Sequence, residues 1–127
     1  MRAFVKYGLI ATLVMVIAAA LTLKARDEGG PPIQFQYLLH PVTDLVSRHW
    51  DSFQQLGDNY LLRVSERPGF AGAYVPNESD RHLPYASPLL AESHGGLPPP
   101  LISTAQFDPL RDQGKAYADK LSEVDIP

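Results

Sequence analysis

The stretch from Pro100 to Ser122 constrains the fold more than any other part of the chain. Pro100-Leu101-Ile102-Ser103-Thr104-Ala105 has the length and apolar content of a short strand. Gln106-Phe107-Asp108-Pro109-Leu110 reads as a turn, its φ fixed at Pro109. From about Arg111 to Ser122 the spacing predicts a helix: Tyr117 and Leu121 share a face, and Lys115, Asp119 and Lys120 are left for solvent. A strand that turns directly into a helix is the building unit of α/β proteins with a parallel sheet. Such folds collect chemistry at the carboxyl ends of their strands, which is where Asp108 falls. An aspartate just before a helix also has a plainer use, as a cap for free N–H groups. The residues alone leave both roles open.

Ile33-Gln34-Phe35-Gln36-Tyr37-Leu38-Leu39-His40 reads as a second strand, ended by Pro41. Its Tyr37-Leu38-Leu39 portion is continuously apolar, as in a strand covered on both faces. Ahead of it, Arg26-Asp27-Glu28-Gly29-Gly30-Pro31-Pro32 has the order of a helix exit: charge, then glycines able to take positive φ, then prolines. Residues 44–84 scatter Trp50, Phe53, Tyr60, Phe70 and Tyr74 among charges without a sheet period. Short helices are expected there around 47–56 and 66–74, as a cap-like excursion, with Pro68-Gly69 interrupting the second. Pro84 to Ala91 reads as an extended segment entering a turn, and Val124 to Pro127 as the approach to a further strand. Two strands do not fill a sheet, so the core is expected to be partial.

Arg2 and Lys6 precede an uncharged run of 17 residues from Tyr7 to Leu23, which Lys24 and Arg26 close. A basic start before such a run suits a signal or membrane anchor, and its length is at the lower limit for a spanning helix. A helix buried in a soluble domain has the same pattern. Residues 1–24 are therefore expected as an apolar N-terminal helix, and 25–127 as a partial α/β domain with the excursion at 44–84. Localisation follows that choice: membrane-anchored or exported in the first case, cytoplasmic in the second. The formal charge of −3 suggests no nucleic-acid partner. Absence of cysteine excludes disulfides, a thiolate nucleophile and Cys-ligated metal. No cofactor or metal is expected.

The block from Leu97 to Leu121 resembles the acid-bearing block of the hormone-sensitive-lipase-like esterases, L-P-P-A-L-I-x-T-A-x-F-D-P-L-R-D-E-G-x-x-Y-A-x-x-L. Tyr85-Ala86-Ser87-Pro88-Leu89-Leu90 is similar to that family's Y-A-S-P-L-L. Leu38-Leu39-His40-Pro41-Val42-Thr43-Asp44 is similar to its L-I-Y-P-V-T-D, with His40 in place of Tyr. Gly57-Asp58-Asn59-Tyr60-Leu61-Leu62 falls at its G-Y-L-L phrase. The resemblance implies an α/β-hydrolase fold, a partial one here: a parallel-sheet fragment with cap-region helices. It implies hydrolysis of small carboxylic esters and places Asp108 at the triad acid. Asp112 maps onto the second, non-catalytic aspartate, and Gln113 replaces a Glu.

The same resemblance exposes what the sequence lacks. The family's nucleophile sits in G-D-S-A-G, a form of the G-x-S-x-G elbow. Alignment of Ala18 to Asp27 with the helix after that elbow puts Thr12 at the nucleophile, with Ile10 and Val14 at the glycines. β-Branched residues do not take the backbone that the elbow requires, so Thr12 is not expected to act. No serine here lies in G-x-S-x-G. Ser93-His94-Gly95-Gly96 imitates the oxyanion motif H-G-G-G by chance, because it precedes the acid strand. His40, His49, His82 and His94 all come before Asp108, against the order Ser, Asp, His, so none is assigned as base. The chain is thus expected to be an esterase fragment, inactive alone and giving neither burst nor turnover on p-nitrophenyl esters. The alternatives are a membrane-anchored binding module held by residues 7–23, and a chain completed by a partner that brings Ser and His.

Overall fold

The computed structural model describes residues 17–124. Thr12, most of the apolar run and the expected approach to a further strand beyond Val124 lie outside them. The described end of that run, residues 17–27, is helical (α1). It closes as its glycines require: Gly29 sits at φ +62° and the Gly30 N–H reaches back to the Ala25 carbonyl at 2.8 Å. No helix among the described residues is long and apolar enough to cross a membrane.

Two strands follow the expected centres but are shorter than expected. β1 is Gln36–Leu39 and β2 is Pro100–Ser103, and they pair in parallel with Gln36 opposite Pro100 and Leu39 opposite Ser103. Pro41 and the prolines at 98–100 remove ladder donors on either side, which limits the pairing to four residues. Helix α4, Arg111–Ser122, agrees with its expected limits. It packs with α1 over one face of the strand pair, where Ala19, Leu23, Leu38, Leu97, Tyr117 and Leu121 form a buried cluster. Burying a leucine side chain of this kind contributes about 1.5–3 kcal/mol. Gly114 lets α4 approach closely, since a Cβ there would meet the Thr104 γ-methyl at 2.8 Å. Cover on both faces was expected for Tyr37 to Leu39. The described helices cover one face only, and Tyr37 and Leu39 are exposed on the other.

The segment 44–84 packs on a second buried cluster, which it shares with Val42, Ala86 and Leu110 outside it. The segment contains helices α2 (Asp51–Leu56) and α3 (Arg67–Tyr74). Pro68-Gly69 does not break α3, because the proline stands in the first turn, where its missing N–H costs nothing. Val42, Leu45, Phe53, Ala71, Ala86 and Leu110 bury together beneath these helices. Ser87 closes the neck of the excursion: its Oγ accepts the Leu45 N–H at 2.8 Å and donates to the Arg81 carbonyl at 2.6 Å. The Leu89 N–H adds a bond to the Thr43 carbonyl at 2.9 Å. Pro88–Leu90, within the segment expected to be extended, forms a single 3-10 turn.

Candidate active site

The parallel pairing brings the carboxyl ends of β1 and β2 side by side. His40 continues the ladder one residue beyond β1, its N–H donating to the Ser103 carbonyl at 2.8 Å. Asp108 lies on the turn after β2. Its Oδ1 accepts the Leu110 N–H at 2.9 Å, and its main-chain carbonyl accepts the Arg111 N–H at 3.0 Å. The carboxylate thus closes the turn itself and does not cap α4, whose N-cap is Leu110 with no side-chain cap bond. Closing the turn occupies only one of the two carboxylate oxygens.

The other, Oδ2, lies 2.8 Å from Nδ1 of His40. Its place before Asp108 in the chain predicts no base role for His40, and the fold sets its ring on this carboxylate. The two residues are 68 apart in sequence, and only the parallel register juxtaposes them. A histidine directly after one strand and an aspartate after its neighbour was the available signal. His40 is also the one non-glycine among the described residues at positive φ, +50°. That conformation costs on the order of 1 kcal/mol in an L-residue. The ladder bond and the carboxylate hold it there.

The rest of the Asp108–Asp112 block anchors the turn. Pro109 and Leu110 are buried, and the Pro109 carbonyl accepts from Ser52 Oγ at 2.6 Å. Arg111 donates to the Gln106 carbonyl at 3.0 Å and to Gln55 at 3.2 Å. Asp112 accepts the Ser52 N–H at 2.7 Å, serving as a cap for the first turn of α2 from another element. Tyr60 stacks on Phe107, next to the acid, with ring centroids 5.3 Å apart. Val42, Phe53, Phe70, Tyr74 and Leu110 line an apolar hollow beneath the excursion, backed by the residues that follow Asp108.

The remaining histidines stand elsewhere. His94 is buried, with Nε2 donating to the Pro88 carbonyl at 2.9 Å and its ring edge-on to Tyr117. Burial pulls its pKa below the usual histidine value. Arg26 grips the Ser93 and Gly95 carbonyls at 2.9 Å each, so Ser93-His94-Gly95-Gly96 is a structural turn. His49 and His82 are exposed. No group of three metal-ligating side chains occurs among the described residues.

A sequence model described as the alpha/beta hydrolase fold matches residues 16–127. The chain belongs to the α/β-hydrolase fold family, and its homologues are carboxylesterases of the hormone-sensitive-lipase-like group. It is 44% identical over 99 residues to the carboxylic ester hydrolase LipN of Mycobacterium tuberculosis, covering 77% of this chain and 26% of that protein. It is 35% identical over 119 residues to an ethyl acetate hydrolase of Pseudomonas putida, covering 94% of this chain and 35% of that protein. Among solved structures, a thermostable esterase from Pseudomonas putida superposes with a TM-score of 0.79 at 44% identity, over 84% of this chain and 34% of that one. The chain thus spans about a third or less of the length of these relatives. In this chain the two neighbouring parallel strands, the Asp108 turn and helix α4 form one contiguous part of an α/β layer.

Proposed function

We propose that this chain carries the acid-bearing part of a serine carboxylesterase acting on small carboxylic esters, with Asp108 as the triad acid. The observation that carries the reading is the division of labour at its carboxylate. One oxygen is fixed by the turn, and the other holds an imidazole Nδ1 at 2.8 Å. A triad acid needs this arrangement: it selects the histidine tautomer and stabilises the imidazolium while serine attacks the acyl carbon and backbone N–H groups hold the oxyanion. The apolar hollow beneath residues 44–84 suits the acyl or alkyl part of a small ester, and that excursion acts as the cap.

The 127 residues hold no serine in a nucleophile elbow, and by themselves they do not run the serine pathway. The direct test is a fluorophosphonate probe, which phosphonylates activated hydroxyls, applied to the purified chain and followed by intact-mass measurement. The expected result is no serine or threonine adduct. An adduct that forms rapidly and is lost in Asp108→Asn would contradict the absence of a nucleophile while keeping Asp108 as the acid, and a rapid adduct that survives in folded Asp108→Asn would contradict both.

A further inference from the structure

His40 is the reactive group at this strand end that a serine pathway leaves unused. In the neutral ring, a carboxylate that accepts from Nδ1–H leaves the lone pair on Nε2. No described residue hydrogen-bonds Nε2, and the side chain is 36% exposed, open to a reagent from solvent. The ring is also held in place. Its backbone is tied to Ser103 and followed by the fully buried Pro41. The other histidines differ. His94 is buried with Nε2 engaged, while no hydrogen bond to a carboxylate orients the exposed His49 and His82 among the described residues.

We propose that His40 and Asp108 form a histidine–aspartate dyad whose Nε2 accepts acyl groups from activated donors, aryl esters being the class, without any serine. The proposal rests on Asp108 as the residue that orients an imidazole, and on nothing about a nucleophilic hydroxyl. In the step, the Nε2 lone pair bonds to the acyl carbon, and the carbon–oxygen bond to the phenol breaks with its electron pair on the phenolate. The proton on Nδ1 passes to the carboxylate or to water, leaving a neutral acylimidazole. Water then adds to the acyl carbon, the carbon–nitrogen bond breaks with its pair returning to Nε2, and a proton restores Nδ1–H. The products are the carboxylic acid and the phenol. An inert chain, the expectation from sequence, is thereby revised in one respect: a slow route through nitrogen remains.

The experiment uses the full chain and diethyl pyrocarbonate, an acylating reagent that leaves a countable adduct on each histidine. Labelling at mildly alkaline pH is followed by peptide mass spectrometry. His40 is expected to acylate several-fold faster than His49 and His82, which act as internal clocks. Asp108→Asn keeps the Oδ1 bond to Leu110 but turns an NH₂ toward His40, which forces the proton onto Nε2 and removes its lone pair. The lead of His40 should therefore vanish in this variant, and Asp108→Glu should restore part of it. Buried His94 reports on folding, since it labels only if a variant opens. In parallel, His40→Phe should lower p-nitrophenolate release from p-nitrophenyl acetate. Equal labelling of His40, His49 and His82, or a lead that survives in folded Asp108→Asn, overturns the proposal. A fluorophosphonate adduct on serine would instead overturn the preceding reading and leave this one standing.

Discussion

Asp112 accepts the Ser52 N–H at 2.7 Å and the Arg111 Nε–H at 2.9 Å. Burial alone would push its carboxyl group up. The bonds from Arg111 and Ser52 outweigh that and hold it below its ordinary value of 3.8. The sign of the linkage follows. A carboxyl with a lowered pKa in the folded state adds stability that is present above the unfolded pKa, and this is lost as pH falls through the folded value. Asp112→Asn, which keeps an acceptor for Ser52 but removes the charge, should therefore be less stable than the parent at neutral pH. The gap should narrow as pH drops below 3.8. Urea unfolding at neutral and acidic pH measures this, and a gap that does not change with pH would contradict it. The D-P-L-R-D block thus ties its turn to several neighbours, Asp108 to His40, Pro109 and Asp112 to Ser52, and Arg111 to Gln55.

At the scale of elements, Gln113 is the joint between α4 and the loop that leaves β1. It is fully buried, and its Oε1 accepts the N–H groups of Thr43 and Asp44 at 2.8 and 3.0 Å. Its main-chain carbonyl accepts from Thr43 Oγ1 at 2.9 Å. Gln113→Ala leaves two buried donors unpaired, each costing about 1–3 kcal/mol, so a loss of more than about 2 kcal/mol is expected in denaturant unfolding. Gln113→Glu keeps both acceptors and should cost less. A smaller loss for Ala than for Glu would show that the joint is not held by these bonds. Helix α4 was legible because Tyr117 and Leu121 follow its period and the turn before it is fixed by proline. The strand ends were not, because apolar residues such as Ile33 and Phe35 look like strand although the ladder has no partner for them. Gln113 looked like a neutral replacement of Glu, and its two bonds depend on a loop 70 residues away.

For the whole molecule, one parallel register decides what the site contains. Asp108 was legible from its place after a strand and from the block around it. His40 was not, since nothing local to L-L-H-P says which residue after β2 it will meet. Counting histidines in triad order set it aside, whereas the fold sets it on the acid. The cap-like excursion was legible only in outline: its aromatic residues signalled packing, but the neck made by Ser87 is a tertiary fact. The central claim is that Asp108 presents a carboxylate oxygen to an imidazole N–H. Proton NMR of the chain with nitrogen-15-labelled histidine tests it most directly. One imidazole Nδ1–H should appear far downfield, protected from exchange, and disappear in both His40→Phe and Asp108→Asn. If it is absent from the parent chain, or persists in folded Asp108→Asn, Asp108 does not orient an imidazole and the account fails.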